Sequence, residues 1–419
     1  MAPSNRRKGE HNRIVTQAGQ PGRSDSADVA RFFESRRTAA VLKHGIIRRY
    51  VRPFAAKTGS ASAGHKVVIV DGYAGAGRYE DGSPGSPELI IQALSPLNDR
   101  DVTCYFVEQD QTTFDSLCTV LAELNPGQSI KCVPLSGGIE DRFDELLGAS
   151  KDIPLFVFLD PLGFGLPFER IAHVFDSRPA ARYSPATEVM FRIDSQSIYR
   201  TRGALLSDAE YPGKVAQLGR LDDTAGGDWW RDPAMAGLDT SSYLTWFIDE
   251  LFQRLRQRTK AGGWKVELRH DPDHLPAYYL IFLTRHPAGM DVFSACLSSA
   301  QEEWRRAVFD EQWRSTVGRS QAAGQFGLFG EDDPDAEFGS QEAARVAAWT
   351  DTLAANLRLL VAKHPVFVVR DKQADVLKGV AGLIREKHIR AAMNVLKAEG
   401  LIVNDTRGDM WSKQVVRAS

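Results

Sequence analysis

Residues 67–94 read VVIVDGYAGAGRYEDGSPGSPELIIQAL, an apolar run followed by a glycine-rich loop and then by a helical pattern. The run is apolar throughout, as a parallel strand buried on both faces requires. Ser86 and Pro87 are typical of the N-cap and first position of a helix. Glycines allow the loop backbone to adopt positive φ and to approach a ligand closely. The stretch therefore predicts a ligand-binding loop at the end of a buried strand, with a plain tight turn as the alternative.

Further apolar runs alternate with helical segments along the chain. After the first strand, strands are predicted at residues 102–108, 129–135, 154–160 and 187–194. The order β-α-β-α-β-α-β with short connections favours a parallel sheet with helices on both faces, a Rossmann-like α/β fold. Two later strands are expected in WKVELRH and YYLIFLTRH, and the HDPDH segment between them is interpreted as a hairpin loop.

Composition changes along the chain divide it into four parts. Residues 1–26 are expected to be a disordered basic tail, and residues 27–318 to form the Rossmann-like domain, with a helical insertion at about 205–257. Its first helix is predicted to stop near Pro53. Residues 319–340 combine glycine and acid without a helical period, which predicts a linker. In residues 341–419, three helices and a two-stranded wing are expected, the order of a winged helix.

The glycine-rich loop is not suited to phosphates. It has no following Gly-Lys-Ser/Thr to hold phosphates and Mg²⁺. The predicted helix starts at Ser86, about fourteen residues after Gly72, so its N-terminus does not open on the loop as dinucleotide binding requires. Asp71 at the strand end would repel phosphate but would accept a hydrogen bond from an ammonium group. S-adenosylmethionine, a cation without phosphates, fits this pattern.

Two more acids end predicted strands at the same edge of the sheet. Glu108 ends the second strand, where a carboxylate can accept both ribose hydroxyls, and Gln109 would border the adenine. Ser136 follows the third strand. The predicted cofactor-binding residues are Asp71, Gly72, Tyr73, Ala74, Gly75, Gly77, Glu108, Gln109 and Ser136.

The fourth strand ends in Asp160, within the motif FLDPLGFG. An Asp-Pro followed by an aromatic residue is the arrangement used to methylate exocyclic amines, because the carboxylate accepts amine hydrogens and the aromatic ring stacks on the base. Asp160, Pro161 and Phe164 are therefore the predicted catalytic residues. The aromatic residue comes one position late, and a capping Asp in a strand-to-loop turn is the alternative.

Bulk composition limits the function classes. The net charge of −2 excludes a polyanion-binding role for the chain as a whole, although residues 1–50 carry eleven Lys/Arg against four Asp/Glu. The four cysteines form no CxxC pair, and buried free thiols are expected, as in a reducing cytoplasm. No apolar run is long enough to span a membrane.

Four segments resemble the three-Cys-motif partner (TcmP) family: KHGIIRRYVRPF, DGYAGAGRYEDGSPGSPELIIQAL, FVFLDPLGFGLPF and YYLIFLTRHPAGMDVF. The resemblance covers most of residues 40–300. It implies a class I methyltransferase-type fold and a partner with a three-cysteine motif similar to radical S-adenosylmethionine enzymes. Two features depart from methyltransferase patterns, namely the long excursion between Gly77 and Ser86 and the missing second proline after Asp160.

These observations lead to a prediction of an S-adenosylmethionine-dependent methyltransferase that acts on a nucleic acid or nucleotide-like substrate. The winged helix and the basic N-terminal arm would contact backbone phosphates. One alternative is a non-catalytic nucleotide-binding subunit that docks the three-cysteine partner in a modification or phage-related system. A metal-dependent nuclease is the other, and it leaves the glycine-rich loop without a purpose.

Overall fold

The computed structural model describes residues 24–125, 130–178, 184–322 and 333–418. Its centre is a seven-stranded sheet in the order β3-β2-β1-β4-β5-β7-β6. The strands are β1 (Lys66–Asp71), β2 (Asp101–Glu108), β3 (Lys131–Ser136), β4 (Leu155–Leu159), β5 (Thr187–Asp194), β6 (Gly262–Leu268) and β7 (Tyr278–Thr284). The first five pair in parallel, and β7 lies antiparallel between β5 and β6. The predicted Rossmann-like, class I methyltransferase-type sheet is confirmed.

Helices cover both faces of this sheet. They are α1 (Ser24–Ala61), α2 (Ser86–Leu94), α3 (Gln111–Leu124), α4 (Ile139–Ala149), α5 (Phe168–Asp176), α6 (Ser195–Leu206), α7 (Lys214–Ala225), α8 (Thr240–Thr259) and α9 (Pro287–Ala322). One core contains residues of α4, α5 and α8, and the other contains residues of α1, α2, α3 and α9. Successive strand residues alternate between the two cores, as side chains of a pleated strand do. The segment from α6 to α8 lies in the chain between β5 and β6.

The prediction that Pro53 stops the first helix is wrong, because α1 continues through Pro53 to Ala61. A proline inside a helix has no N–H to donate, which leaves the carbonyl four residues earlier without its helical partner. Here that carbonyl belongs to Arg49, and it accepts a hydrogen bond from the thiol of Cys296 on α9 at 3.3 Å. The packing of α9 against α1 thus replaces the lost bond.

The C-terminal segment contains three helices and a small sheet. Its elements are α10 (Pro334–Lys363), β8 (Val366–Val368), α11 (Gln373–Val376), α12 (Glu386–Ala398) and β9 (Gln414–Val416). β8 pairs antiparallel with β9, and Ile402 forms an isolated bridge with Arg417. The expected wing of two late strands is therefore not formed as predicted. The main partner of β9 is β8, which precedes α11 in the chain, and the segment around Ile402 adds only a single bridge. The assignment as a winged helix stays a prediction.

The predicted linker is shorter than expected where the structure describes it. Residues 319–322 belong to α9, and residues 334–340 belong to α10, so both ends of the 319–340 range are helical. Asp333 caps α10 by accepting a hydrogen bond from the N–H of Asp335, and Pro334 occupies the first turn. The acidic residues of this range therefore start a helix. The predicted tail at 1–26 lies outside the described residues except for its last three, which are in α1.

Candidate functional site

A cleft of about 430 Å³ lies at the carboxyl edge of the parallel strands. Ligands of open α/β sheets bind at this edge. Eight of the predicted site residues line the cleft: Gly72, Tyr73, Ala74, Gly75, Gly77, Glu108, Gln109 and Asp160. The structure therefore brings the predicted cofactor loop, the end of β2 and the end of β4 together around one space.

The glycine-rich loop is held between two strand ends. The Gly72 N–H donates to the Phe158 carbonyl, and the Ala74 N–H donates to the Val107 carbonyl, both at 2.9 Å. Gly75 and Gly77 have φ values of 62° and 83°, which glycine adopts without strain. A Cβ on Gly77 would lie 2.9 Å from a Val120 methyl carbon, so α3 packs directly against the loop backbone. These contacts leave the loop backbone facing the cleft.

Glu108 connects the end of β2 to this loop. One carboxylate oxygen accepts the Gly75 N–H at 3.0 Å, and the other accepts the Asp110 N–H at 2.8 Å. The side chain is half-buried and lines the cleft, so further lone pairs remain available for a ligand. Ser136 does not line the cleft, and its hydroxyl donates to the Gln111 side chain at 3.2 Å.

Asp71 lies behind the loop rather than in the cleft. Its side chain is 0% exposed, one oxygen accepts the Tyr73 N–H, and Oδ2 has no hydrogen-bond partner among the described residues. Burial raises the pKa of Asp71 to about 7, against the opposing effects of the Ser86 hydroxyl and the Tyr73 N–H. Asp71 therefore cannot contact a cleft ligand without a shift of the loop, and its expected direct bond to an ammonium group stays a prediction.

Asp160 is bonded to cations that the sequence did not indicate. Its Oδ2 accepts a hydrogen bond from the Lys43 ammonium, and its Oδ1 lies 3.4 Å from the Arg192 guanidinium. Oδ1 is buried and has no hydrogen-bond partner within the described part of the chain. Burial lowers the pKa of Lys43, but the combined effects of Asp160, Tyr278 and Tyr79 exceed it, so the pKa of Lys43 is raised overall. The predicted catalytic acid thus pairs with two cations and keeps one oxygen able to accept a hydrogen bond.

The two other predicted catalytic residues, Pro161 and Phe164, are not among the residues that line the cleft. Pro161 is buried and packs so closely on Gly165 that a Cβ there would lie 2.7 Å from its ring. Phe164 packs against the core of α4, α5 and α8. Leu162 lines the cleft instead and is 94% exposed. The expected stacking of a base on Phe164 would therefore need this loop to move.

The part of the cleft around Asp160 is also lined by residues of α1 and of the excursion after the glycine-rich loop. Lys43 and His44 come from α1, and Tyr79 comes from the excursion, with its hydroxyl 3.5 Å from the His44 ring. Burial and the Lys43 charge lower the pKa of His44 to about 4, so its imidazole is neutral at pH 7. The sequence offered one signal for these residues, since KHGIIRRY belongs to the segments that resemble the TcmP family.

The excursion at residues 78–85 is a tight, anchored turn. Arg78 forms a bridge with Pro84, and the Tyr79 N–H donates to the Ser83 carbonyl at 2.9 Å. The Arg78 side chain pairs with Glu88 and Glu123 at 2.7 Å each, which fixes the base of the turn to α2 and α3. The excursion therefore presents the half-exposed Tyr79 ring at the cleft mouth.

A second cavity of about 480 Å³ lies at the opposite edge of the sheet. Its lining comes mainly from the second half of α1 and from the starts of β4, β5 and α9, and it includes none of the predicted site residues. Buried Glu188 borders it and accepts hydrogen bonds from the hydroxyls of Tyr50 and Thr284. The loop-bearing cleft, rather than this cavity, is therefore the candidate functional site.

Comparisons with known proteins give similarity of fold only. No protein-family model and no curated protein matches this chain. Solved structures that it resembles include a protein described as a caffeoyl-CoA O-methyltransferase from Staphylococcus aureus (11% identity, TM-score 0.27, covering 52% of this chain and 76% of that one). Two others are from Pyrococcus horikoshii: a protein described as a transferase, PH0793 (9%, 0.24), and TYW2 in complex with MeSAdo (9%, 0.22). This chain covers 60% of each of those two, and each alignment spans 55% of this chain.

Among the described residues, no helix combines the length and apolar character that crossing a bilayer would need.

Proposed function

We propose that the protein is an S-adenosylmethionine-dependent methyltransferase whose cofactor binds between the glycine-rich loop and Glu108. The observation that carries the proposal is the Glu108 carboxylate, which lines the cleft and holds the Gly75 N–H at 3.0 Å. The proposal is supported by this contact between an acid at the end of β2 and a loop whose glycines take positive φ. The arrangement leaves room for a nucleoside without offering the lysine and hydroxyl that a triphosphate needs.

The residues of the cleft fit this cofactor. Apart from Gly75 and its chain neighbours, no described residue has an atom within 4 Å of the position that a Cβ on Gly75 would occupy, so the loop is open on that side. Glu108 retains lone pairs for two ribose hydroxyls, and Gln109 borders the same space. S-adenosylmethionine supplies, when bound, a methyl group on a positively charged sulfur. The protein has to align an acceptor atom with that group and to exclude water.

Asp160 is proposed to orient the acceptor. In the described residues its Oδ1 accepts no hydrogen bond and lies 3.4 Å from the Arg192 guanidinium, whereas Oδ2 is fixed by Lys43. One oxygen can therefore accept a hydrogen bond from the acceptor while the carboxylate stays in place. His44 lines the same cleft with a neutral imidazole, which can exchange a hydrogen bond with the acceptor. Tyr79 and Leu162 offer an exposed ring and an exposed apolar side chain to a planar acceptor.

The substrate is proposed to be a nucleic acid or nucleotide-like molecule, with the C-terminal segment as a winged helix that contacts it. A protein with a three-cysteine motif is proposed as a partner, on the resemblance to the TcmP family. A non-catalytic nucleotide-binding subunit in such a partnership is the second candidate. The ion pair between Lys43 and Asp160 favours this second candidate, because one carboxylate oxygen of Asp160 is already bonded to Lys43 and is not available to a substrate.

Calorimetric titration of the whole chain with S-adenosylmethionine and with S-adenosylhomocysteine tests the cofactor assignment. We expect saturable binding of both. Lack of binding at millimolar ligand would overturn the proposal. Where binding is found, Asp160→Ala separates the two candidates in the presence of the partner. Loss of methyl transfer with retained partner binding supports the enzyme, and unchanged output supports the scaffold.

A further inference from the structure

The small sheet of the C-terminal segment has an unusual sequence, because it is apolar on both of its faces. It consists of β8 (VFV, 366–368), β9 (QVV, 414–416) and the bridged segment LIV (401–403). Strands that are buried on one face usually alternate apolar and polar residues, whereas continuous apolar runs are typical of strands buried on both faces. The sequence of this sheet therefore predicts that both of its faces are covered.

The structure covers only one of these two faces. Phe367, Ile402 and Val415 belong to the core of the C-terminal segment and are 6%, 3% and 1% exposed. Their neighbours in the chain lie on the other face, because successive side chains of a strand alternate between the two faces of a sheet. We call this second set the outer valine face, and it consists of Val366, Val368, Leu401, Val403 and Val416.

The outer valine face is continuous across the sheet. Val366 lies opposite Val416 in the pairing of β8 with β9, and the Val403 N–H donates to the Val416 carbonyl at 3.1 Å. These three valines thus form one row across the strands. Val366, Val403 and Leu401 are 45%, 61% and 36% exposed. Adjoining exposed apolar side chains, unlike scattered single ones, mark an interaction surface.

The charges that flank this face are nearly balanced. Five Lys, Arg, Asp or Glu residues lie within two positions of its three strand segments. Four of the five are in ion pairs, namely Arg370 with Asp291, Glu399 with Arg358, and Asp405 with Lys413. The fifth, Arg417, donates to the Ala362 carbonyl at 3.5 Å. A nucleic acid binds through several cations that neutralise its phosphates, so this face suits an uncharged apolar surface instead.

We infer that the outer valine face is the contact between two copies of this chain. A second copy presents the same face, and a two-fold axis lets the two valine rows pack together as the inner faces of a two-sheet sandwich do. The balanced flanking charges leave such a pair without strong repulsion. The face is small against the about 800 Å² per partner of a standard interface, so we expect the dimer to dissociate in the micromolar range. The inference does not rest on the methyltransferase proposal.

The test measures the mass of the whole chain in solution by sedimentation equilibrium, between about 1 and 100 µM protein. We expect the mass to rise with concentration from that of one chain toward that of two. Because the contact is apolar, we expect no weakening of the dimer when salt is raised from about 0.1 to 0.5 M. A single-chain mass at every concentration would overturn the inference and leave the face to a different protein.

Variants locate the contact. Val403→Lys places a charge within it and is expected to raise the dissociation constant of the dimer at least about tenfold. Val366→Lys is expected to do the same from a different strand. Val215→Lys is the matched control, because Val215 is 82% exposed on α7, outside the C-terminal segment. A dimer that neither Val403→Lys nor Val366→Lys weakens, or that Val215→Lys weakens equally, forms elsewhere and contradicts the assignment.

Two further measurements complete the test. Urea unfolding establishes that each variant is folded, and where Val403→Lys is destabilised, Val366→Lys decides. Fluorescence anisotropy with a labelled nonspecific duplex then compares the wild type with Val403→Lys. An added lysine attracts phosphates, so we expect the affinity for the duplex to stay the same or to rise. Loss of duplex binding with an unchanged dimer would assign the face to nucleic acid and overturn the inference.

Discussion

The Glu108 carboxylate accepts the backbone N–H of Gly75 across 3.0 Å, so the end of β2 fixes the loop that follows β1. The two residues are 33 positions apart in the chain and meet because β1 and β2 are parallel neighbours in register, with Asp71 opposite Phe106. One acid thus has two tasks in the proposed site. It holds the empty loop in shape, and it offers its remaining lone pairs to a ribose.

Replacement of this acid is the most direct test of the proposed cofactor pose. Glu108→Ala removes the acceptor for both ribose hydroxyls, and hydrogen bonds to a charged group contribute about 1.5–3 kcal/mol. We expect the affinity for S-adenosylhomocysteine to fall roughly tenfold to a hundredfold in calorimetric titration. Glu145→Ala is the control, because Glu145 is an exposed acid on α4 and does not line the cleft. Similar affinities in both variants would show that Glu108 is not part of the site.

The glycines at 77 and 82 provide a matched pair for the loop backbone. Both have positive φ, 83° and 77°, so an alanine at either pays the left-handed strain of about 1–2 kcal/mol. Only at Gly77 would the new Cβ also collide, 2.9 Å from a Val120 methyl carbon, whereas nothing lies within 4 Å at Gly82. We expect Gly77→Ala to lower the free energy of unfolding more than Gly82→Ala does in urea titration. We also expect only Gly77→Ala, and not Gly82→Ala, to weaken cofactor binding. If both variants lose the same free energy of unfolding, the contact between residue 77 and α3 does not contribute to stability.

The sequence predicted the sheet and one side of the site for a simple physical reason. Buried parallel strands are nearly continuous apolar runs, so the polar residue that ends each run marks the edge where ligands bind. Glu108 and Asp160 were found in this way, and both line the cleft. The glycines of the loop were predicted together with the first strand.

The acceptor side was missed because no local pattern marks it. Lys43 contacts Asp160 although the two residues are 117 positions apart in the chain. Lys43 lies on a helix, where a lysine is expected to be exposed to solvent. Arg192 lies between two apolar residues near the end of β5, and its partner Asp160 directly follows the neighbouring strand β4. Such pairs depend on how α1 crosses the sheet. The same packing explains the error at Pro53, since the thiol that compensates for the proline comes from α9.

Glu188 is expected to make the stability of the fold depend on pH. Burial raises its pKa from 4.5 to about 7, against the hydrogen bonds from Tyr50 and Thr284. The folded state therefore keeps a proton that the unfolded state loses, so the contribution of Glu188 to the free energy of unfolding falls as pH rises from 4.5 to about 7. Glu188→Gln cannot ionise, and its urea unfolding should vary less over this range than that of the wild type. Glu267→Gln, at a half-exposed acid on β6, should leave the wild-type slope unchanged, and equal slopes in all three proteins would contradict the argument.

Asp71 is expected to couple cofactor binding to pH. Its pKa of about 7 in the free protein means that it is half-protonated at neutral pH, and it lies directly behind the loop that lines the cleft. A cationic ligand in the cleft favours the ionised carboxylate, so binding should release a proton and the affinity should rise as pH increases through about 7. Calorimetry between about pH 6 and pH 8, in two buffers of different ionisation enthalpy, measures the proton release and the change in affinity. Each should have the size expected for the ionisation of one group.

The matched pair for this coupling is Asp71→Asn and Glu188→Gln. Both remove a buried acid whose pKa is raised to about 7, but Glu188 borders the cavity at the opposite edge of the sheet. We expect Asp71→Asn to flatten the pH dependence of S-adenosylmethionine affinity and to abolish the extra proton release, while Glu188→Gln retains both. Titration of the ligand's own amino group is common to all three proteins and cancels in the comparison. Retention of the wild-type pH dependence in Asp71→Asn would show that the cationic part of the ligand binds away from β1.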